Sequence, residues 1–129
     1  EEKQVVQLYT QDEKNPQRFR MFSYPAFQVL RENNPAFTDI LAHNLSVVGL
    51  GEREGTRRMF AGIVSSNYFS TLQVPLVRGR AFTPEEEKPG AAIPVAIVSY
   101  NYWKRENFAP DLVGRVVRVN EKPVTVVGI

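Results

Sequence analysis

Pro94-Val95-Ala96-Ile97-Val98-Ser99-Tyr100-Asn101-Tyr102-Trp103 passes from an unbroken apolar run straight into a helical pattern, and its reading decides the fold. Pro94 to Val98 is the most apolar stretch, which predicts a central strand buried on both faces. Ser99 offers the side-chain oxygen an N-cap needs, and Tyr100 to Asn107 forms a helix whose Trp103, with Phe108 just beyond, would cover the sheet. A strand running directly into a helix is a crossover rather than a hairpin. Downstream, Pro110-Asp111 to Gly114 is a turn. Val116, Val117 and Val119 are then followed by Asn120-Glu121-Lys122-Pro123 and Val124 to Val127, two valine-rich strands about a four-residue polar loop. The chain stops at Ile129 inside this last apolar strand, so a piece of a longer domain is expected, with Val124 to Ile129 at an open part of the sheet.

Upstream, Lys88-Pro89-Gly90 breaks the chain, and Thr83-Pro84-Glu85-Glu86 has the pattern of a capping box with Thr as N-cap and Pro at the first helical position. Gly79-Arg80 is a turn after the short extended Leu76 to Arg78. Ser65-Ser66-Asn67 precedes a helix carrying Tyr68, Phe69 and Leu72, with Ser66 as cap and Pro75 as stop. Leu45 to Leu50 and Arg57 to Val64 are β-prone and flank Gly51-Glu52-Arg53-Glu54-Gly55, an antiparallel hairpin with an exposed tip. Tyr24, Phe27 and Leu30 recur at helical spacing behind Ser23, and Pro25 sits in the first turn. A second short helix is expected from Pro35, capped by Asn34, burying Phe37, Ile40 and Leu41 and ending at His43-Asn44. Val5 to Tyr9 reads as a strand before the polar loop Thr10 to Arg20. The expected class is α+β, a mixed β-sheet with hairpins and crossover helices. Tyr68, Phe69, Leu72, Trp103 and Val95 to Val98 are expected to share one core.

A chain of 129 residues with 43% apolar and 23% charged content is one domain, residues 1–129, large enough for a real core. Its longest apolar runs fall far short of the roughly 20 residues of a membrane-spanning helix, so direct membrane insertion by this chain is not expected. Sixteen Lys and Arg against 14 Asp and Glu name no partner. The lack of cysteine and the single histidine exclude disulfides, thiol catalysis and multi-histidine metal sites.

Gly49, Gly51 and Gly55 are one residue off a dinucleotide fingerprint, but that chemistry needs a helix N-terminus after the loop, and a strand follows here. Ser65, Ser99, His43 and Asp39 could be imagined as a hydrolytic triad, although no G-x-S-x-G elbow surrounds either serine. Glu85, Glu86 and Glu87 are adjacent on one helix and do not converge, so they read as a solvated capping cluster. Arg58-Met59-Phe60-Ala61-Gly62-Ile63-Val64 has one aromatic and lacks the glycine of the RNA-binding signature, which makes Phe60 a core residue and nucleic acid an unexpected partner. Asn44-Leu45-Ser46 matches a glycosylation acceptor by chance. No catalytic, cofactor-binding or metal-ligating residue is assigned, and no cofactor is expected.

Three blocks stand in order across residues 65–129: Ser65-Ser66-Asn67-Tyr68-Phe69-Ser70-Thr71-Leu72 with Arg78-Gly79-Arg80-Ala81-Phe82-Thr83; Val95-Ala96-Ile97-Val98-Ser99-Tyr100 with Trp103; and Val113-Gly114-Arg115 leading to Val124-Thr125-Val126-Val127-Gly128-Ile129. Together they resemble the MacB-type periplasmic core domain of MacB/FtsX-family ABC transporter permeases. Ser23-Tyr24-Pro25 and Phe37-Thr38-Asp39-Ile40 resemble the duplicated orphan permeases of acidobacteria. Gln73 departs from the family's usual glycine. The resemblance implies a porter-like subdomain, with Tyr68, Phe69, Leu72, Gly79, Arg80, Phe82, Ser99, Trp103, Gly114 and Gly128 as its structural motif positions. It further implies a non-catalytic domain on the periplasmic face of the inner membrane, anchored by transmembrane helices outside this stretch and moved by nucleotide hydrolysis in a separate ABC subunit or domain. A periplasmic adaptor or a second permease copy is the implied further partner. The alternative reading from the residues is a small hydrolase using His43, and the third is a nucleic-acid-binding α+β module.

Overall fold

The computed structural model describes residues 5–8, 10–11, 13–15, 19–20, 23–52, 55–88, 90 and 94–129. They fall into two compact units, Glu1–Ile40 and Leu41–Ile129.

In the first unit, β1 (Thr10–Gln11) pairs antiparallel with β2 (Phe19–Arg20), and α1 spans Tyr24–Glu32. The Ser23 hydroxyl accepts from the Ala26 N–H at 3.3 Å, and Pro25 lies in the first turn, as the local chemistry predicts. Phe27 is buried, with the Arg31 guanidinium 4.8 Å from its ring centroid. Two expectations fail. Residues 5–8 are irregular, with Val5 and Val6 exposed, and Tyr9 lies outside the described residues. The helix expected after Pro35 is absent. The Asn34 side chain accepts from the Ala36 and Phe37 N–H groups at 3.1 and 2.8 Å, closing an Asx turn that competes with the helix, and Phe37 is exposed.

The second unit is built on β3 (His43–Glu52), β4 (Gly55–Val64), α2 (Tyr68–Leu72), α3 (Pro84–Glu87), β5 (Val95–Ile97), α4 (Tyr100–Arg105), β6 (Val116–Val119) and β7 (Lys122–Gly128). His43-Asn44 therefore opens a strand rather than ending a helix. The strand order is β4-β3-β6-β7-β5, antiparallel throughout except for the parallel β5–β7 pair. The α+β class and the mixed sheet are thus found, and the sheet is open. Both hairpin turns are tighter than expected. β3 and β4 stay paired to Glu52 and Gly55, leaving Arg53-Glu54, outside the described residues, as the connection. β6 and β7 turn through Asn120-Glu121, both at positive φ, the two-residue geometry that matches strand twist. Pro123 falls at a pair where its missing N–H faces away from β6, so the ladder loses nothing.

β5 lies at the sheet edge and is half-buried, not central. An apolar run specifies burial but not which neighbour provides it. β7 takes the interior place, and Val126, Val127 and Ile129 are buried, so the expected open apolar end is not found. The Ile129 main chain is paired as well: its carbonyl accepts from Val77 N–H at 2.7 Å and its N–H donates to the Arg78 carbonyl at 3.0 Å.

The core gathers Leu50, Tyr102, Trp103, Leu112, Val126 and Ile129, with Val98 and Val117 packed against it. Ser99 caps α4, its hydroxyl accepting from Tyr102 N–H at 3.1 Å, a contact of about 1 kcal/mol. Tyr68, Phe69 and Leu72 do not join this core. All three are half-buried, and Tyr68 and Phe69 belong to a separate aromatic run, His43–Tyr68–Phe69–Phe82, with centroid spacings of 6.4, 5.2 and 5.9 Å.

Candidate interaction and force-bearing surfaces

Of the positions expected to carry the fold's motif, Gly79, Arg80, Trp103, Gly114 and Gly128 stand at two places, while Tyr68, Phe69 and Phe82 belong to the aromatic run, Leu72 is half-buried in α2 and Ser99 caps α4. The first is the end of β7. Gly79, at φ +78°, bridges Gly128, Arg80 N–H donates to the Val127 carbonyl at 2.9 Å, and Val98 N–H donates to the Gly128 carbonyl at 3.1 Å. The two glycines let three backbones meet where side chains would hold them apart: a Cβ on Gly128 would stand 2.9 Å from the Arg80 carbonyl oxygen. Trp103 packs beside this junction, with Phe108 edge-on at 4.9 Å, its indole N–H on the Ala109 carbonyl at 3.0 Å, and the Arg78 guanidinium 5.0 Å from the ring. Gly114, in the turn before β6, donates to the Val126 carbonyl at 2.7 Å.

The second place is a polar clasp around α3. Arg80 binds Glu86 through two parallel hydrogen bonds of 2.8 and 3.1 Å, and the same carboxylate accepts from the Thr83 N–H at 2.8 Å and hydroxyl at 3.0 Å. The Thr83 capping box is therefore present. Glu87 accepts from the Ser66 N–H at 2.7 Å and hydroxyl at 3.1 Å. Ser66 is thus held by α3 instead of capping α2, whose N-cap position is Asn67. Of the three glutamates expected to be solvated, two are engaged in these contacts and Glu85 is exposed. Neither link could be read from local spacing, because the partners lie on separate elements.

Hydrogen bonds from Arg80, then from Thr83, hold the Glu86 carboxyl down to about 2, against an ordinary 4.5. The folded protein binds fewer protons at this site than the unfolded chain, so the clasp stabilises fully above about pH 5 and loses its contribution as pH falls toward 2. Glu86→Gln is expected to lower urea stability at pH 7, with the deficit shrinking between pH 5 and pH 2. A deficit that stays constant across that window would show that the carboxylate charge is not what holds the clasp.

The two serines imagined in a triad are each committed to structural hydrogen bonds. The Ser65 hydroxyl accepts from Ala42 N–H at 2.9 Å and donates to Asn67, and the Ser99 hydroxyl is occupied as a cap. The Asp39 carboxylate accepts from Ile40 N–H at 2.9 Å. Gly49 and Gly51 lie in β3, followed by another strand as expected. Among the described residues no cluster of three His, Asp or Glu side chains could share a metal ion, and no helix is long and apolar enough to cross a membrane.

The exposed surface of the β3–β4 hairpin departs most from expectation. Phe60, read as core, is 76% exposed. The face is set by register: buried Leu50 pairs with Arg57 and Val48 with Met59, so Met59 points to the core and the next residue, Phe60, points away. Leu45 and Val47 share that outer face with Phe60 and are exposed too. Only the pairing register distinguishes the two faces of β4, since both carry apolar residues.

No curated protein matches the chain. A family model described as the MacB-like periplasmic core domain matches residues 2–129, nearly the whole sequence. The chain accordingly belongs to the MacB-like periplasmic core domain family and is an extracytoplasmic, periplasmic domain of an ABC-type transporter permease.

Proposed function

We propose that residues 1–129 form one extracytoplasmic domain that passes nucleotide-driven motion of the permease to a periplasmic partner or substrate, without chemistry of its own. The observation that carries this is the interlocking of separate elements. The Gly79–Gly128 bridge ties the chain before α3 to β7, and the Arg80–Glu86 and Glu87–Ser66 contacts tie α3 to both ends of the preceding segment. A displacement applied to one of these elements is passed to the others before hydrogen bonds of this strength yield, which is what rigid-body transmission needs. Serines committed to structural bonds support the non-catalytic reading. ATP hydrolysis belongs to a nucleotide-binding partner, anchoring to transmembrane helices of the permease, and the motion acts on an adaptor or a second permease copy. The ten motif residues serve as the structural frame of this body.

Residues 1–129 carry no cysteine, so each one introduced there is the single thiol of this stretch. Cysteines are placed singly at exposed Asn101 and Lys104 of α4 and paired with cysteines across the facing domain of the intact permease. Oxidative crosslinking is expected to suppress transport, and reduction to restore it. A fully crosslinked permease transporting at its normal rate would leave the domain a static platform.

A further inference from the structure

Ten-residue β4 forms one edge of the sheet, and its pairing with β3 runs without a bulge from Gly55 to Val64. Natural edge strands are blunted by proline, bulges, charged side chains or brevity, and of these β4 has only the charges of Arg57 and Arg58, both beside the turn, so that Met59 to Val64 carries none. Its free main-chain groups can be assigned. Gly49 N–H donates to the Asn120 side chain, and its carbonyl accepts from Asn120 N–H, both at 2.8 Å, so both Gly49 groups face β6. Arg58, opposite Gly49, therefore turns its N–H and C=O away from β3, and so by alternation do Thr56, Phe60 and Gly62.

The side chains along this edge are sorted by kind. Near the turn stand Arg57 and Arg58, on opposite faces, both exposed and neither with an ion pair among the residues whose side chains are described. Toward the other end stand Phe60 and Ile63, again on opposite faces, 76% and 64% exposed. Cross-strand neighbours are the pairs that decide which strand fits beside another. Self-pairing of two β4 edges about Phe60 would set both arginines against Gly62 and Ile63, leaving their charges unmet. An acidic doublet meets both at once.

From this edge we infer that β4 takes up an extended segment of a periplasmic partner protein as a sixth strand. Two adjacent acidic residues of that segment lie beside Arg57 and Arg58, and apolar residues lie beside Phe60 and Ile63. Main-chain hydrogen bonds to Thr56, Arg58, Phe60 and Gly62 supply the binding, and the charge pattern sets register and direction. The inference rests on the reading of this domain as one that acts on a partner, and it names the chemistry of that partner.

The test titrates the isotope-labelled chain with a capped nine-residue strand-forming peptide of two adjacent glutamates followed by valines and threonines, a valine standing on each face so that both Phe60 and Ile63 are met, and with its lysine-for-glutamate counterpart. The glutamate peptide is expected to bind about tenfold more tightly at low salt, to weaken as salt is raised, and to slow amide exchange at Arg58, Phe60 and Gly62. The double variant Arg57→Glu, Arg58→Glu, its fold checked by circular dichroism, should reverse the preference. Equal binding of both peptides, no binding of the glutamate peptide at millimolar concentration, or protection away from β4 overturns the inference. So does concentration-dependent self-pairing of the chain alone at this edge. Binding through Phe60 to anionic lipid vesicles or a single-stranded oligonucleotide in preference to the peptide overturns it as well. Because the crosslinking experiment reads transport and this one reads peptide binding, either reading can fail while the other stands.

Discussion

Trp103→Ala is expected to lower the stability of the Leu41–Ile129 unit by about 3 to 5 kcal/mol, a large part of the roughly 5 to 15 kcal/mol that holds a domain of this size folded. The indole is 8% exposed and fills the space between α4, the Phe108 turn and β7, against Leu112 and Val126, which are both 0% exposed. Truncation removes the edge-on contacts to Phe108 and Tyr100 and the cation–π contact of Arg78. It also strips the Ala109 carbonyl of the indole N–H. Trp103→Phe separates these effects: most apolar area stays, and the loss of the hydrogen bond alone should cost about 1 to 3 kcal/mol. Trp103 is the sole tryptophan, so wild-type unfolding can be followed by its fluorescence and the variants by far-ultraviolet circular dichroism. A Trp103→Ala midpoint in urea close to wild type would mean that this ring does not organise the core.

Much of this arrangement is legible in the sequence because it rests on local chemistry. Ser23, Thr83 and Ser99 are read as caps from their position ahead of helical patterns, and each holds that place in the structure. The two hairpins follow from paired β-prone runs about polar or glycine-bounded turns. Where one residue type serves two local structures, reading fails. Asn34 before Pro35 suits a helix cap and an Asx turn equally, and the outcome depends on whether the following apolar residues find a surface to bury. The links that make the unit one body join residues far apart in the chain. Nothing in the spacing of Ser66 or Glu87 announces their contact. Phe60 shows the same limit at the candidate interface. β4 is apolar on both faces over Met59 to Ile63, so period-two reading cannot choose between them, and the choice is made by Leu50 in the neighbouring strand.

Gly79→Ala is expected to cost about 3 kcal/mol or more, for two reasons that a control separates. The φ of +78° disfavours any residue with a Cβ, a penalty of about 1 to 2 kcal/mol. The second reason is contact: a Cβ there would lie 2.7 Å from Gly128 Cα and 2.9 Å from the Val127 carbonyl carbon, and would overlap the Val127 carbonyl oxygen. These are backbone atoms in an interior strand, held on the other side by β5, so they cannot give way as a side-chain tip would. Relief requires the 77–80 segment to lift off, which strains the Arg80–Val127 and Ile129–Arg78 hydrogen bonds of 2.9 and 3.0 Å. Gly90 has the same φ of +78° with nothing within 4 Å of its would-be Cβ, so Gly90→Ala carries the dihedral penalty alone. Urea denaturation should rank Gly79→Ala well below Gly90→Ala, and hydrogen exchange at Arg80 and Ile129 should quicken in the first variant only. Equal losses would mean that the close approach of Gly79 to Gly128 contributes nothing to stability. The mechanical reading sharpens the expectation: because this junction joins the chain entering α3 to β7, a permease carrying Gly79→Ala that still folds should couple poorly, hydrolysing ATP with reduced transport. A Gly90→Ala permease should retain its coupling.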